Sequence, residues 1–208
     1  MLPIVWNLSG RQVLLVGGGT VASRKGRVLC EAGAAVRAVA PHARPAEFPC
    51  ASWHEADYAA THLDGMACVV AAATGAVNRA VVADARAARI PVASATDPAA
   101  GDFTFPAVVR RGRFTLAVAT GGAAPAFARR VREKLLGEFD AAYGEFVALL
   151  EDVRSEVATS VADPASRRRW HEQFADWPWL ARVRLEGPAA VREAMFRELR
   201  LALARKAE

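Results

Sequence analysis

The chain has 208 residues, of which 53% are hydrophobic and 24% charged, and its formal net charge is +5 at pH 7. This composition is that of a globular protein with one or two domains. No apolar run reaches the roughly 18 residues that a membrane-spanning helix needs, so no membrane association is expected.

The charge and the cysteines narrow the partners and the compartment. A basic balance suits nucleic acid or a small polyanionic substrate, but no aromatic-interleaved basic motif accompanies Arg129–Lys134 or Arg167–Arg169, so no nucleic-acid partner is expected. The three cysteines are scattered and predict neither a disulfide framework nor a metal site. Met1–Trp6 lack the pattern of a signal peptide, which makes the cytoplasm the expected compartment.

Strands and helices alternate over the first hundred residues. Short loops between them are typical of a doubly wound parallel sheet, so the fold class is α/β and Rossmann-like. In chain order the predicted elements are strand Val13–Val16, helix Ala22–Glu31, strand Val36–Val39, a short strand within Ala51–Tyr58, a buried strand within Met66–Ala72, helix Val77–Ala88 and strand Ile90–Ala93.

The pattern changes near residue 97. Two strands, Asp102–Val109 and Phe114–Ala119, precede a second glycine turn, Thr120-Gly121-Gly122, and a helix from Pro125 to Leu136. Beyond Gly137 only helices are predicted. The close spacing of Trp170, Trp177 and Trp179 indicates that they pack inside this helical part.

The glycine turn after the first strand predicts a dinucleotide site. Gly17 allows a tight turn, Gly19 lets the backbone approach phosphates, and Ala22 stands where a small residue keeps helix and strand close. A pyrophosphate needs the free backbone N–H groups of a helix N-terminus, which this strand–turn–helix context provides. The alternative is an ordinary βα turn without a ligand.

Several motifs together resemble one known family. They are Leu2-Pro3-Ile4, the stretch from Val16 to Lys25, Glu31-Ala32-Gly33-Ala34, Val77-Asn78-Arg79, Asp102–Ala107 and Thr120–Ala126. In order and spacing, over about residues 1–140, the chain resembles the precorrin-2 dehydrogenases of siroheme biosynthesis, including the N-terminal module of siroheme synthases.

The resemblance implies an organisation and an activity. It implies an NAD-binding Rossmann domain in residues 1–98, a small α+β dimerisation region in 99–140 and a helical C-terminal domain in 141–208. It also implies a homodimer that oxidises precorrin-2 to sirohydrochlorin with NAD, in siroheme or cobalamin synthesis. Some members of the family also insert Fe²⁺, and the sequence leaves this ferrochelatase activity open.

The predicted cofactor-binding residues lie at the ends of three strands. They are Gly17, Gly18, Gly19, Thr20, Val21 and Ala22, together with Pro41, His42 and Ala72. The second strand ends without the usual carboxylate for the ribose, so backbone contacts are expected at Pro41 and His42. Arg44 leaves NADP open, and NAD is preferred on the resemblance alone.

The catalytic position departs from the family pattern. Thr96 aligns with a functional aspartate of the family, and Asp97 follows one position later. A threonine cannot be a general base near neutral pH, whereas a carboxylate can, so Asp97 is the candidate base; the alternative is a turn residue before Pro98. Ala72-Ala73-Thr74-Gly75 also lacks the acidic residues common in the family after its strand.

The second glycine turn is the predicted substrate site. Thr120, Gly121 and Gly122 offer free N–H groups to an anion, and Arg129 follows on the helix. Precorrin-2 carries eight carboxylates, and arginine binds carboxylates strongly. The four histidines have no metal-ligand spacing, so no metal site is predicted.

Two other functions remain open. A family member that has lost catalysis at Thr96 would bind NAD or a tetrapyrrole without turnover. An NADP-linked reductase of another small substrate would fit Arg44 but leaves the second glycine turn unexplained.

Overall fold

The computed structural model describes residues 2–207, and it divides them into two compact units. The first unit is Met1–Phe105 and the second is Pro106–Glu208. The division of the chain at residues 98 and 140 stays a prediction. In the part that the structure describes, no helix is long and apolar enough to cross a membrane.

The first unit contains a five-stranded parallel sheet. Its strands are β1 (Gln12–Val16), β2 (Ala35–Ala40), β3 (Ser52–Glu55), β4 (Cys68–Ala71) and β5 (Val92–Ser94), in the spatial order β3-β2-β1-β4-β5. The order reverses between β1 and β4, as in dinucleotide-binding folds. The predicted doubly wound sheet is therefore confirmed.

One helix covers each face of this sheet. The cluster that includes Val13 and Leu15 of β1 also includes Ala22 and Leu29 of α1 (Thr20–Glu31). The cluster that includes Leu14 and Val16 of β1 takes in Val81, Val82 and Ala85 of α2 (Gly75–Ala87). Because β1 and β4 are buried on both faces, their sequences are continuous apolar runs and do not alternate.

The second unit begins with an antiparallel hairpin and continues with helices. Strands β6 (Ala107–Arg111) and β7 (Phe114–Val118) turn at Gly112, whose φ is +56°. The helices are α3 (Pro125–Glu138), α4 (Ala141–Ser160), α5 (Pro164–Phe174), α6 (Trp177–Glu186) and α7 (Pro188–Ala207). Side chains of α4 to α7 form one apolar core, so the predicted helical C-terminal part is confirmed.

Three predicted details differ from the structure. The strand predicted from Asp102 begins only at Ala107, because Phe103 and Phe105 pack against the core of the first unit and Pro106 has no N–H for a ladder. Helices α1 and α2 each begin two residues earlier than predicted. Trp177 is 68% exposed, so its predicted packing is wrong, whereas Trp170 and Trp179 both contact Phe174.

Candidate functional site

The turn after β1 lies against the loop after β4. A Cβ added to Gly17 would sit 2.4 Å from the carbonyl oxygen of Ala72, and the φ of Gly17 is +123°. The N–H of Gly17 donates to the carbonyl of Val39 at 2.9 Å, and that of Ala72 donates to the carbonyl of Val16 at 2.8 Å. Only glycine fits this approach of two backbones.

The next two glycines have different surroundings. A Cβ at Gly18 would sit 2.8 Å from Cη2 of Trp53, whereas within the described residues no heavy atom lies within 4 Å of a Cβ at Gly19. Gly19 is the N-cap of α1, and no side chain in the described part of the protein caps this helix. The N–H groups of Thr20, Val21 and Ala22 therefore have no helical partner. Open space beside free donors fits the phosphates of a dinucleotide.

Close packing of α1 on the sheet involves one residue that the sequence analysis did not single out. Ala22 is fully buried, as predicted for the small residue of the turn. One turn later, a Cβ at Gly26 would sit 2.7 Å from the carbonyl oxygen of Pro49 and 3.1 Å from Leu15. A glycine in a helix interior lowers helix stability, so Gly26 inside the predicted helix was the sequence signal that another segment packs closely there.

The loop after β2 is held by side chains of its own unit. Pro41 and His42 are exposed, and the carbonyl of His42 accepts a hydrogen bond from Trp53 Nε1 at 3.1 Å. Arg44 Nη2 donates to the carbonyls of Phe48 at 2.8 Å and Cys50 at 3.3 Å. Arg44 thus braces this loop, and cofactor contacts at Pro41 and His42 stay a prediction.

A buried asparagine connects the loops after β4 and β5. Asn78, in the first turns of α2, is 1% exposed. Its Oδ1 accepts from the N–H of Ala73 at 2.9 Å, and its Nδ2 donates to the carbonyl of Ala73 at 3.2 Å and to Thr96 Oγ1 at 3.0 Å. Val77-Asn78-Arg79 is one of the motifs that carry the family resemblance, but the sequence alone indicates no role for Asn78.

Thr96 and Asp97 are both exposed and stand side by side after β5. Asp97 Oδ1 accepts from the N–H of Ala99 at 3.2 Å and so caps the short 3₁₀ helix Pro98–Ala100. The N–H of Asp97 donates to Ser94 Oγ at 3.2 Å. The structure thus shows the turn role of Asp97, and catalysis by Asp97 or Thr96 stays a prediction.

A cavity of about 240 Å³ opens beside these two residues. Thr96, Asp97, Asn78 and Arg79 are among the residues that line it. Arg79 is exposed, and within the described side chains it forms no ion pair. The cavity therefore combines a hydroxyl, a carboxylate, an amide and a guanidinium at the carboxyl end of the sheet.

A half-buried lysine lies on α1 after the glycine turn. Lys25 Nζ sits 3.9 Å from the centre of the Phe105 ring. Burial, and secondarily the charge of Arg24, lower the pKa of Lys25 to about 8. No carboxylate of the described side chains pairs with this ammonium.

The second glycine turn belongs to the second unit. Gly121 and Gly122 have φ values of +64° and +85°. Thr120 Oγ1 accepts from the N–H of Ala124 at 3.2 Å, so the threonine side chain closes the turn before α3. Arg129 is exposed on α3. Substrate binding by these residues stays a prediction.

Two histidines that are separate in the sequence meet in the fold. The rings of His54 and His62 lie 5.1 Å apart, and His62 Nδ1 accepts from the N–H of Ala59 at 3.0 Å. Over residues 2–205, whose side chains are described, no group of three or more His, Cys, Asp or Glu residues is placed to hold a metal ion.

Comparisons with known proteins agree with this geometry. A family model described as putative NAD(P)-binding matches residues 4–107, half of the chain, and one described as the sirohaem synthase dimerisation region matches residues 142–199. The second match lies C-terminal to residues 99–140, where the sequence analysis expected dimerisation.

The curated relatives are siroheme synthases about twice as long. The protein of Chromobacterium violaceum is 37% identical over 203 residues, covering 95% of this chain and 43% of the relative. The protein of Stutzerimonas stutzeri is 36% identical over 212 residues, covering 99% and 45%. The chain thus spans less than half the length of these relatives.

A solved structure covers both units. SirC, a precorrin-2 dehydrogenase, matches with a TM-score of 0.75 and 25% sequence identity, over 95% of this chain and 100% of that protein. Together with the family models and the siroheme synthases, this match shows that the chain belongs to the family of precorrin-2 dehydrogenases and siroheme synthase N-terminal modules.

Proposed function

We propose that this protein is an NAD-dependent dehydrogenase that oxidises precorrin-2 to sirohydrochlorin. The observation that carries the proposal is the likeness to SirC, which extends over nearly the whole of both chains. The glycine turn supports it from the chain's own residues, because it combines a backbone approach that only glycine fits with an uncapped helix end. The cytoplasm stays the predicted compartment.

The residues around the glycine turn hold the cofactor in this proposal. The N–H groups of Gly18 to Ala22 bind the pyrophosphate, and the backbone of Pro41, His42 and Ala72 contacts the rest of the molecule. NAD, when bound, accepts the hydride that the macrocycle loses. Since Arg44 already donates to two carbonyls of its own loop, we assign the cofactor as NAD and not NADP.

Oxidation of precorrin-2 also releases a proton, and Asp97 is the group we assign to accept it. Its Oδ1 already accepts the N–H of Ala99, so Oδ2 is the oxygen left for this task. A carboxylate is a competent general base near neutral pH, whereas the hydroxyl of Thr96 is not. Thr96 remains at the site as a neutral neighbour of Asp97.

Substrate binding and dimerisation complete the proposal. Thr120, Gly121, Gly122 and Arg129 bind carboxylates of precorrin-2, because arginine and free N–H groups both favour anions. The chain acts as a homodimer, in line with the match to a dimerisation region. Light scattering coupled to size-exclusion chromatography tests this, and a monomeric mass at micromolar concentration would contradict it.

The decisive experiment is anaerobic turnover. Purified protein is mixed with precorrin-2 and NAD, and NADH and sirohydrochlorin are followed by absorbance. Asp97→Ala is compared with the wild type and with Asp57→Ala, a control for the loss of an exposed carboxylate elsewhere in the first unit. We expect turnover in the wild type and the control, and a rate at least about 100-fold lower in Asp97→Ala, the usual contribution of a general base.

One observation favours a second candidate function. Thr96, which cannot act as a general base, stands where the family has a functional aspartate, and Asp97 beside it caps the short 3₁₀ helix Pro98–Ala100. This protein would bind NAD and sirohydrochlorin but form no NADH. A wild type that binds both ligands without turnover would establish this alternative, and equal rates in Asp97→Ala and the wild type would remove Asp97 as the base.

A further inference from the structure

The orientation of the Asn78 side chain is set by one neighbouring residue. The N–H of Ala73 can only donate, so the atom 2.9 Å away must be the amide oxygen of Asn78. The amide nitrogen then faces the carbonyl of Ala73 at 3.2 Å and Thr96 Oγ1 at 3.0 Å. Two bonds to the backbone of Ala73 therefore hold the donor of Asn78 toward Thr96.

This orientation decides what Thr96 can offer. An amide N–H donates, so Thr96 Oγ1 accepts from Asn78 and its own proton must point elsewhere. Thr96 is exposed and lines the cavity of about 240 Å³. The hydroxyl is thereby left as a hydrogen-bond donor toward an acceptor in the cavity.

We propose that Asn78 is a positioning residue that acts through Thr96, turning its hydroxyl into a hydrogen-bond donor for a carbonyl or carboxylate oxygen of the bound ligands. This inference rests on the proposed function for the identity of the ligands. The acceptor belongs either to the carboxamide of NAD or to a carboxylate of the tetrapyrrole. Arg79, which lines the same cavity, adds a positive charge that favours such an oxygen.

Asn78 also has a structural role that is separate from its contact with Thr96. The loop that it holds through Ala73 follows Ala72, whose carbonyl lies against Gly17. The Asn78 side chain therefore connects the loop after β4, at Ala73, with Thr96 in the loop after β5. Truncation of Asn78 would leave the N–H and the carbonyl of Ala73 without their partner, which is a structural cost separate from the effect on Thr96.

A double-mutant cycle separates these two effects. Asn78→Ala, Thr96→Val and the double variant are compared by kcat/KM, by urea unfolding, and by calorimetric binding of NAD and of sirohydrochlorin separately. Thr96→Ser keeps the hydroxyl, and Thr61→Val is the control for an exposed threonine elsewhere in the unit. Thr96→Val keeps the inference testable even if Asn78→Ala folds poorly, because Thr96 is exposed.

We expect the effects of Asn78→Ala and Thr96→Val on kcat/KM to be non-additive, while their effects on the free energy of unfolding are closer to additive. Thr96→Val lowers kcat/KM about tenfold, as for the loss of one hydrogen bond. Thr96→Ser keeps the hydroxyl and restores most of that loss, while Thr61→Val stays near the wild type. Asn78→Ala lowers kcat/KM similarly but adds nothing further when Thr96 is already valine. Its loss of stability persists in both backgrounds. The ligand whose Kd changes identifies the source of the acceptor oxygen.

Three outcomes overturn the inference. Losses of kcat/KM that add fully in the double variant would show that Asn78 does not act through Thr96. Unchanged kcat/KM and unchanged binding of both ligands in Thr96→Val would show that the hydroxyl donates to neither. A wild type without turnover defeats the proposed function alone, and the same cycle is then judged on the Kd of NAD and of sirohydrochlorin. A wild type that binds neither ligand defeats both.

Discussion

Alanine at two glycines of one turn should produce opposite kinds of damage. Gly17→Ala places a methyl group 2.4 Å from the Ala72 carbonyl oxygen, at a residue whose φ is +123°. Gly19→Ala places one where no described heavy atom lies within 4 Å, at a φ of −83°. We therefore expect Gly17→Ala to lower the stability of the folded protein, and Gly19→Ala to lower the affinity for the cofactor while leaving stability nearly unchanged.

The magnitudes follow from the same geometry. At Gly17 the positive φ costs about 1–3 kcal/mol, and the forced displacement of Ala72 adds about 1–3 kcal/mol, so the free energy of unfolding should fall by roughly 2–6 kcal/mol. At Gly19 an alanine N-cap costs at most about 1 kcal/mol. Its methyl group occupies the space left for the pyrophosphate, so NAD affinity should fall at least about tenfold, or about 1.4 kcal/mol.

Urea unfolding and titration calorimetry with NAD test this contrast. Gly17→Ala should unfold at clearly lower urea than the wild type, while Gly19→Ala should unfold close to it and bind NAD weakly. The reasoning is refuted by a Gly17→Ala protein as stable as the wild type, or by a Gly19→Ala protein with unchanged NAD affinity.

Three further predictions concern stability. Lys25→Met should unfold at a higher urea concentration than the wild type at pH 7, because the folded wild type holds a half-buried charge. This difference in stability should narrow between pH 8 and 10.5, where the unfolded wild type binds more protons than the folded one. A difference that stays constant with pH would contradict the prediction. Gly144→Ala places a Cβ 2.6 Å from the Arg111 carbonyl and should lower the free energy of unfolding by about 1–3 kcal/mol. Its control Gly137→Ala, in open space on α3, should raise it by up to about 1 kcal/mol, and equal effects in urea would refute the contact. Asp163→Ala removes the N-cap of α5, where Asp163 accepts from the N–H of Ser166. Hydrogen bonds from the side chain and then the backbone of Ser166 lower the pKa of Asp163, so the variant should be less stable than the wild type at neutral pH and equal to it in strong acid, as followed by circular dichroism.

Much of the first unit was predictable because its signals are local. Continuous apolar runs indicate strands buried on both faces. Glycines in a turn indicate where the backbone bends sharply or where another group lies close to it. The strand predicted from Asp102 failed for a tertiary reason. The N–H of Asp102 donates to the carbonyl of Val92, and the carboxylate of Asp102 accepts from the N–H of Val92. Phe103 and Phe105 then pack against the core of the first unit instead of joining a sheet.

The candidate site was predictable in part. The glycine turn was predicted from its strand–turn–helix pattern, and the pair Thr96 and Asp97 from the resemblance to the family. The bond from Asn78 to Thr96, in contrast, joins residues 18 positions apart. Nothing in the local sequence indicates that contact, because it depends on how α2 packs beside β5. The same holds for the approach of Gly17 to Ala72 across the sheet.

The sequence by itself determined the alternation of strands and helices and the glycine turn, since these depend on the periodicity of apolar residues and on backbone freedom at single positions. Its motifs also carried the resemblance to the family. Only the tertiary structure decided where the first unit ends, which face each aromatic side chain covers, and what Asn78 holds in place. Those outcomes depend on contacts between segments far apart in the chain, and a hydrogen bond in the interior forms only where the fold brings its donor and acceptor within about 3 Å of each other.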